Sequence, residues 1–163
     1  MTPSNDTRML LQAVYTMFQR SGDLMFVKDM RLVYLAVSKG FAEMVGLDDP
    51  AQAVGKTDFE LFQDARLAEQ YRADDTRLLE NGEPLLQYIE PLPWQDGRAR
   101  FVSTSKYALT DENGTIVGLY GIGREVTREM EAKQNYEREL RYLFELPKDA
   151  LSAVLFDVTL WVR

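Results

Sequence analysis

The first regular pattern along the chain places apolar residues on one side of a helix over residues 6–20. Their intervals of three and four residues are typical of an amphipathic helix. Ser, Gly and Asp at residues 21–23 end the pattern. The sequence therefore predicts an N-terminal helical cap over residues 1–22, whose apolar side is formed by Met9, Leu10, Ala13, Val14, Met17 and Phe18.

Two short runs of β-type residues come next, LMFVK at residues 24–28 and RLVYLAV at residues 31–37. The two runs are separated by only two residues, which favours a hairpin. Several short helices are predicted over residues 38–62, because each begins at a residue that can cap a helix N-terminus. Helices this brief are not stable alone, so we expect them to pack on the sheet.

A longer helix is predicted over residues 64–81, with Gly82 as the residue that ends it. Its opposite side is acidic and includes the neighbouring carboxylates Asp74 and Asp75. We interpret this side as solvated, with a basic partner surface as the alternative. The apolar side of the helix is formed by Leu67, Tyr71, Leu78 and Leu79.

Three further strands are predicted over residues 85–92, 98–109 and 115–126. Asp96-Gly97 and Asn113-Gly114 separate them, and both dipeptides are strong turn signals. With the first two strands, this meander makes a five-stranded antiparallel sheet with helices on one face. The predicted fold class is therefore α+β.

A charged helix is predicted over residues 127–146. It carries an apolar stripe, but charged residues interrupt the heptad pattern, so the stripe is not that of a regular coiled coil. A second copy of the chain is the natural partner for that stripe, so we expect a homodimer. The tail over residues 147–163 is apolar and too short to span a membrane. It either packs on the domain or is the truncated start of a further element.

Composition narrows the possible functions. The chain has 163 residues, with 19 Lys and Arg against 26 Asp and Glu, for a net charge of −7. This balance disfavours binding to nucleic acid or to an anionic membrane surface. The absence of Cys and His excludes His-ligated haem, cysteinyl-flavin photoadducts and thiolate metal sites. We find no signal peptide and no membrane-spanning segment, and we expect a cytoplasmic protein without a metal.

The order of these elements, together with three motifs, resembles a PAS domain with its PAC motif. The motifs are GKTD at residues 55–58, DENG followed by VG within residues 111–118, and GIGREVT at residues 121–127. The resemblance covers residues 23–128, within which the PAS domain itself is predicted over residues 23–126. PAS domains of the type that the chain resembles are found in bacterial sensor kinases and diguanylate cyclases. The resemblance implies a PAS fold flanked by the N-terminal helix and by a C-terminal signalling helix.

The resemblance also implies a ligand pocket between the sheet and the helices. Its expected ligand-binding residues face inward from both layers: Phe41, Met44, Tyr71, Tyr88, Thr104, Lys106 and Tyr120. Glu90 and Lys106 match an ion pair of the family. Either the two residues pair and fix the strand register, or Lys106 is free to hold the carboxylate of a ligand such as a small organic or fatty acid.

The family's exit motif implies a relay role for Arg124, Glu125 and Thr127, although Glu125-Val126 stands where the family usually has Asp-Ile. The function that follows is a sensory module of two-component or cyclic-di-GMP signalling. It would relay a signal through its C-terminal helix to an output domain of the diguanylate cyclase or histidine kinase type. The alternative is a ligandless module for homodimerisation. No arrangement of residues meets the geometric requirements of a catalytic site, so we predict no enzyme in this chain.

Overall fold

The computed structural model describes residues 4–94 and 96–145. The predicted tail over residues 147–163, and the last residue of the predicted C-terminal helix, lie outside the described residues. The helices are α1 Asn5–Arg20, α2 Lys39–Met44, α3 Asp58–Leu61, α4 Ala65–Asn81 and α5 Thr127–Glu145, with a 3-10 turn at Pro50–Ala53. The strands are β1 Leu24–Asp29, β2 Tyr34–Val37, β3 Leu85–Pro93, β4 Ala99–Thr110 and β5 Ile116–Glu125.

The five strands form one antiparallel sheet in the order β2-β1-β5-β4-β3. The first hairpin therefore lies beside the last strand of the meander, so β5 occupies the centre of the sheet. The register places Gly121 opposite Phe26 on one side and opposite Lys106 on the other. This confirms the predicted α+β architecture of five antiparallel strands with helices.

Local sequence explains where the elements end. Gly82 closes α4 in the left-handed conformation, with φ at +71°, which a residue without a Cβ adopts at no steric cost. In the turn between β4 and β5, the Asp111 carboxylate accepts hydrogen bonds from the backbone N–H groups of Asn113 and Thr115. Turn chemistry encoded in a few consecutive residues thus sets the strand boundaries.

The core lies between one face of the sheet and the helices α2, α3 and α4. Its residues come from all five strands and from these helices, which bury one sheet face as predicted. The buried apolar members include Leu24, Phe26, Tyr34, Phe41, Met44, Leu61, Tyr71, Leu78, Leu92, Val102 and Leu119.

Two apolar surfaces remain exposed in the unit that ends at Val126. The helix α1 has no buried residue, and Leu10, Val14 and Met17 on its apolar side are each more than half exposed. The sheet face opposite the core carries Leu35 and Ile122, which are 52% and 40% exposed. Exposed apolar patches of this kind are common at interfaces.

The chain divides into two compact units after Val126, and α5 belongs to the second. The core described above belongs entirely to the first unit. None of the helices within the described residues is both long and apolar enough to cross a membrane.

Candidate functional site: a buried cavity with an ion-pair chain

A small cavity lies at the centre of the first unit, between the inner face of the sheet and the helices. Its volume is about 30 Å³, which is room for on the order of two water molecules. The surrounding residues combine aromatic rings with two lysines and two acidic side chains. The lining is Leu24, Phe26, Lys28, Tyr34, Phe41, Met44, Asp58, Phe62, Tyr71, Glu90, Leu92, Thr104, Lys106 and Gly123.

Aromatic rings form a continuous series around the cavity. The Phe41 ring centroid lies 5.3 Å from that of Tyr34 and 6.2 Å from that of Phe62. The Phe62 ring in turn lies 5.1 Å from Tyr71, with the planes inclined by 69°. Edge-to-face contacts of this type stabilise a core beyond simple burial, so this side of the cavity is well packed and apolar.

A chain of buried charges lies beside these rings, with Lys28 Nζ 4.5 Å from the centre of the Tyr34 ring and Lys106 Nζ 5.1 Å from that of the Tyr71 ring. The Lys28 Nζ donates to Asp58 at 2.6 and 2.8 Å and to Asp75 Oδ2 at 2.7 Å. The other carboxylate oxygen of Asp75 accepts from Lys106 Nζ at 2.5 Å. The Tyr34 hydroxyl donates to Asp58 Oδ1 at 2.6 Å and ends the chain. Two cations thus face two carboxylates, and the charges within the chain balance.

Burial and pairing act in opposite directions on these groups. Burial alone would raise the pKa of Asp75, but the attraction of Lys106 and Lys28 holds it below its ordinary value. The pKa of Tyr34 is raised, because burial and the negative charge of Asp58 both disfavour its ionised form. Asp75 is therefore a carboxylate, and Tyr34 a neutral hydrogen-bond donor.

Two polar groups on the cavity wall lie outside this chain. Among the described residues, the Tyr71 hydroxyl is the one buried side-chain polar atom without a hydrogen-bond partner. The Glu90 carboxyl is hydrogen-bonded to Thr104, and burial raises its pKa more than Lys106 and Thr104 lower it. A buried hydroxyl without a partner is unusual in a native structure and calls for an explanation.

The structure brings together most of the residues that the sequence predicted for a pocket. Phe41, Met44, Tyr71, Thr104 and Lys106 all line the cavity.

Tyr120 was predicted to face inward, and this prediction is wrong. It pairs across the strands with Tyr107, and the two rings stack at 5.2 Å on the sheet face away from the core. The inward positions of β5 are instead Leu119, Gly121 and Gly123, because adjacent strand residues point to opposite faces.

Tyr88 is also placed outside the cavity. Although it pairs with Thr104 across the strands, its side chain is 44% exposed and it does not line the cavity. The start of β3 is irregular: the register shifts between Leu85 and Tyr88, and Gln87 has a φ of +49°. Regular inward alternation is established only from Glu90 onward.

The predicted ion pair between Glu90 and Lys106 is replaced by a different pairing. Lys106 pairs with Asp75, whereas Glu90 lies opposite Val102 in the register and bonds to Thr104. Lys106 still lowers the pKa of Glu90 through its charge, but it does not form the predicted contact. The interpretation of Asp75 as part of a solvated acidic side is wrong for the same reason, since its side chain is fully buried.

Sequence reasoning missed Lys28, Asp58 and Asp75, although two signals were present. Lys28 follows Leu24 and Phe26 at intervals of two, which places it on the buried face of β1. Asp75 lies four residues after Tyr71 and three before Leu78, on the apolar side of α4. A charge in line with core residues on two separate elements indicates a buried pair.

The three predicted relay residues lie at the end of β5 and the start of α5. Arg124 Nη2 contacts Asp23 Oδ2 at 3.1 Å, and Glu125 Oε2 contacts Arg100 at 3.5 Å. Thr127 is the first residue of α5. Both ion pairs are partly exposed, so each contributes little to stability by itself.

The described residues contain no cluster of three or more acidic side chains placed to hold a metal ion. Both aspartates of the ion-pair chain are occupied by lysines, which leaves them unsuited to metal coordination.

Comparison with known proteins supports the fold found here. A family described as PAS fold matches residues 18–131. No curated protein matches the chain. One similar solved structure is the VqmA dimer of Vibrio cholerae, described as a LuxR-type receptor. It is 23% identical with a TM-score of 0.65, over 73% of this chain and 52% of VqmA.

Two sensory proteins give comparable structural matches. The PAS domain of Bordetella pertussis BvgS is 18% identical with a TM-score of 0.62, over 83% of this chain and 98% of that one. A domain of a sensory box sensor histidine kinase/response regulator from Geobacter sulfurreducens is 18% identical with a TM-score of 0.54, over 75% and 99%. This chain spans about half the length of the VqmA chain, and nearly all of the two isolated domains.

Proposed function

Since the chain belongs to the PAS family, we propose that it is a non-enzymatic cytoplasmic module that senses a small ligand in its central cavity. The single observation that carries this proposal is the buried Tyr71 hydroxyl, which lines the cavity and has no hydrogen-bond partner. Leaving such a group unpaired costs about 1–3 kcal/mol. A bound molecule that accepts its hydrogen bond would remove that cost.

Similar solved structures include complexes with a ligand. VqmA has been solved bound to DPO and in a complex with a ligand and DNA. In our proposal this chain itself contacts no nucleic acid, because its net charge is −7.

The signal would leave the domain through the junction of β5 and α5. Arg124 and Glu125 are held by Asp23 and Arg100, and the Val126 N–H donates to the Phe101 carbonyl at 2.8 Å. A ligand can shift this junction only if it binds two arrangements of it with different affinity. The output would be a domain of the histidine kinase or diguanylate cyclase type.

Mass spectrometry of the freshly purified protein tests the proposal. We expect native spectra to show a bound small molecule, which denaturing extraction then releases. Tyr71→Phe removes only the hydroxyl and should reduce the bound fraction. Tyr120→Ala is the matched control, because that side chain lies on the other face of the sheet. A ligand-free mass for the wild-type protein would contradict the proposal.

The second candidate function is ligandless homodimerisation, and the exposed apolar side of α1 favours it. Met9, Leu10, Val14 and Met17 are each more than half exposed, and a second copy would cover them. Under this function, Leu10→Glu with Val14→Glu should convert a dimer to a monomer in light scattering. The control is Gln12→Glu, which adds one charge to the same helix at a position outside its apolar side.

A further inference from the structure

The ionic groups of the cavity define which ligand charge it can accept. Among the described residues, both cavity lysines already have carboxylate partners: Lys28 has Asp58 and Asp75, and Lys106 has Asp75. A ligand carboxylate would therefore add a negative charge to a group of ions whose charges already balance. A buried charge without a counterion of its own is costly.

Glu90 makes an anionic ligand less favourable still. Its carboxyl lines the same cavity and is mostly buried, with Thr104 as its hydrogen-bond partner. Tyr71 lines the same cavity, and its pKa is raised by burial and then by the nearby Glu90 carboxyl. A second carboxyl group beside Tyr71 would thus lie near Glu90, and the two could not both carry a negative charge without repulsion.

The hydrogen-bonding groups indicate the complementary ligand. The Tyr71 hydroxyl is a donor in need of an acceptor. The Lys106 ammonium, 5.1 Å from the centre of the Tyr71 ring, has three donors, of which Asp75 takes one. The Glu90 carboxyl can accept a hydrogen bond from an N–H group. A ligand that complements these groups has a hydrogen-bond acceptor beside a donor and carries no net charge, as a carboxamide or lactam does.

We propose that the cavity binds a small uncharged molecule with a carboxamide or lactam edge, its carbonyl toward Tyr71 and Lys106 and its N–H toward Glu90. This inference rests on the sensory function proposed above and defines the ligand's chemical class. It replaces the organic or fatty acid that the sequence suggested. The aromatic rings of Phe41 and Phe62 would contact the ligand's apolar part.

The ligand has to enlarge the cavity, and one wall is suited to this. Met44 and Phe62 line the inner cavity and also an outer cleft of about 390 Å³, which continues to Trp94. Displacing the flexible Met44 side chain toward that cleft would join the two spaces. The ligand would enter and be accommodated through this wall.

Three probes of nearly equal shape but different charge test the inference on the full chain. They are benzamide, benzoate and benzamidine, which at about pH 7.5 are neutral, anionic and cationic. Ligand-observed NMR detects binding, and calorimetry measures the affinity. We expect benzamide to bind about tenfold or more tightly than benzoate, since the anion adds an uncompensated buried charge and lies near the Glu90 carboxyl.

Variants separate the named contacts from a general effect of folding. Tyr71→Phe should weaken benzamide binding about tenfold through loss of one hydrogen bond. Tyr107→Phe, on the other sheet face, should leave it unchanged. Glu90→Gln should narrow the preference for benzamide over benzoate, because it removes the repulsion of the anion.

The inference is overturned if benzoate or benzamidine binds as tightly as benzamide, if benzamide does not bind, or if Tyr71→Phe binds it equally well. Mass spectrometry distinguishes a failure of this inference from a failure of the proposed function. A co-purified anionic molecule would support sensing while refuting an uncharged ligand. A ligand-free wild-type protein contradicts the proposed function, and benzamide binding through Tyr71 would then still support the ligand class.

Discussion

Single residues in this protein depend on partners that are distant in sequence. Asp75 is fully buried and holds both Lys28 and Lys106, at 2.7 and 2.5 Å. Each lysine therefore relies on a carboxylate from α4 for its charge to be tolerated in the core. An ion pair of this kind adds little to stability as a whole, but the loss of one member is costly.

Asp75→Asn should accordingly destabilise the protein by about 3–5 kcal/mol, because Lys106 would be left as a buried charge without its counterion. Urea unfolding followed by circular dichroism measures the change. Asp74→Asn is the matched control, since Asp74 pairs with Arg77 on the exposed side of α4. That control should cost less than about 1 kcal/mol. Equal losses in both variants would disprove the role of the buried chain.

Glu90 should make stability depend on pH in the opposite sense from a salt-bridged carboxylate. Burial raises its pKa above the ordinary 4.5, so ionisation is disfavoured in the folded state. The contribution of Glu90 to the stability of the folded state is then fully present below its ordinary pKa of 4.5 and is lost as the pH rises through its raised pKa in the folded state.

Thermal melts of Glu90→Gln against wild type test this dependence. The variant should have the higher melting temperature at neutral pH, because burial disfavours the ionised form of wild-type Glu90 in the folded state. The difference should disappear at about pH 4, where both side chains are neutral. A gain that is constant with pH would point to packing and not to ionisation.

At the scale of elements, β5 is shaped by its glycines. It lies at the centre of the sheet, and its inward positions approach the facing side chains closely. A Cβ placed on Gly121 would lie 2.3 Å from the Phe26 ring. Glycine within a central strand thus leaves room for the tip of the Phe26 ring against the sheet.

Gly121→Ala should destabilise the protein by about 1–3 kcal/mol, because the Phe26 ring has to move within a packed core. Denaturant unfolding gives the value. The control is Gly22→Ala, where an added Cβ meets nothing within 4 Å, and we expect a change within about 0.5 kcal/mol. A neutral Gly121→Ala would mean that the ring shifts freely.

The whole molecule consists of two units joined after Val126. Every member of the buried apolar core, and every member of the ion-pair chain, lies before that point. The interactions that stabilise the domain are therefore contained in one stretch of chain, which is the usual condition for independent folding.

A chain that ends at Val126 should thus unfold cooperatively, with a free energy of unfolding within about 1 kcal/mol of the full chain. Circular dichroism with urea measures both. A broad or absent transition would show that residues after Val126 support the core. Light scattering on the same two proteins then shows whether self-association requires the C-terminal helix.

The sequence alone determined the features that depend on neighbouring residues. Alternation, helical periodicity and turn residues predicted the strands and helices, and α4 ends at Gly82 as expected. The motif order was sufficient to indicate the PAS fold. Alternation placed Thr104 and Lys106 on the same face of β4, and the resemblance to the family indicated that this face is the inward one.

Only the tertiary structure decided which buried groups meet. The partners of the ion-pair chain are separated by 30, 47 and 31 residues, so no local period relates them. The structure likewise decided that Tyr120 faces away from the core. Adjacent residues of a strand point to opposite faces, so an error of one residue in assigning the inward positions of β5 exchanges its two faces. Local patterns fix elements, whereas pairing within the core follows from how those elements pack.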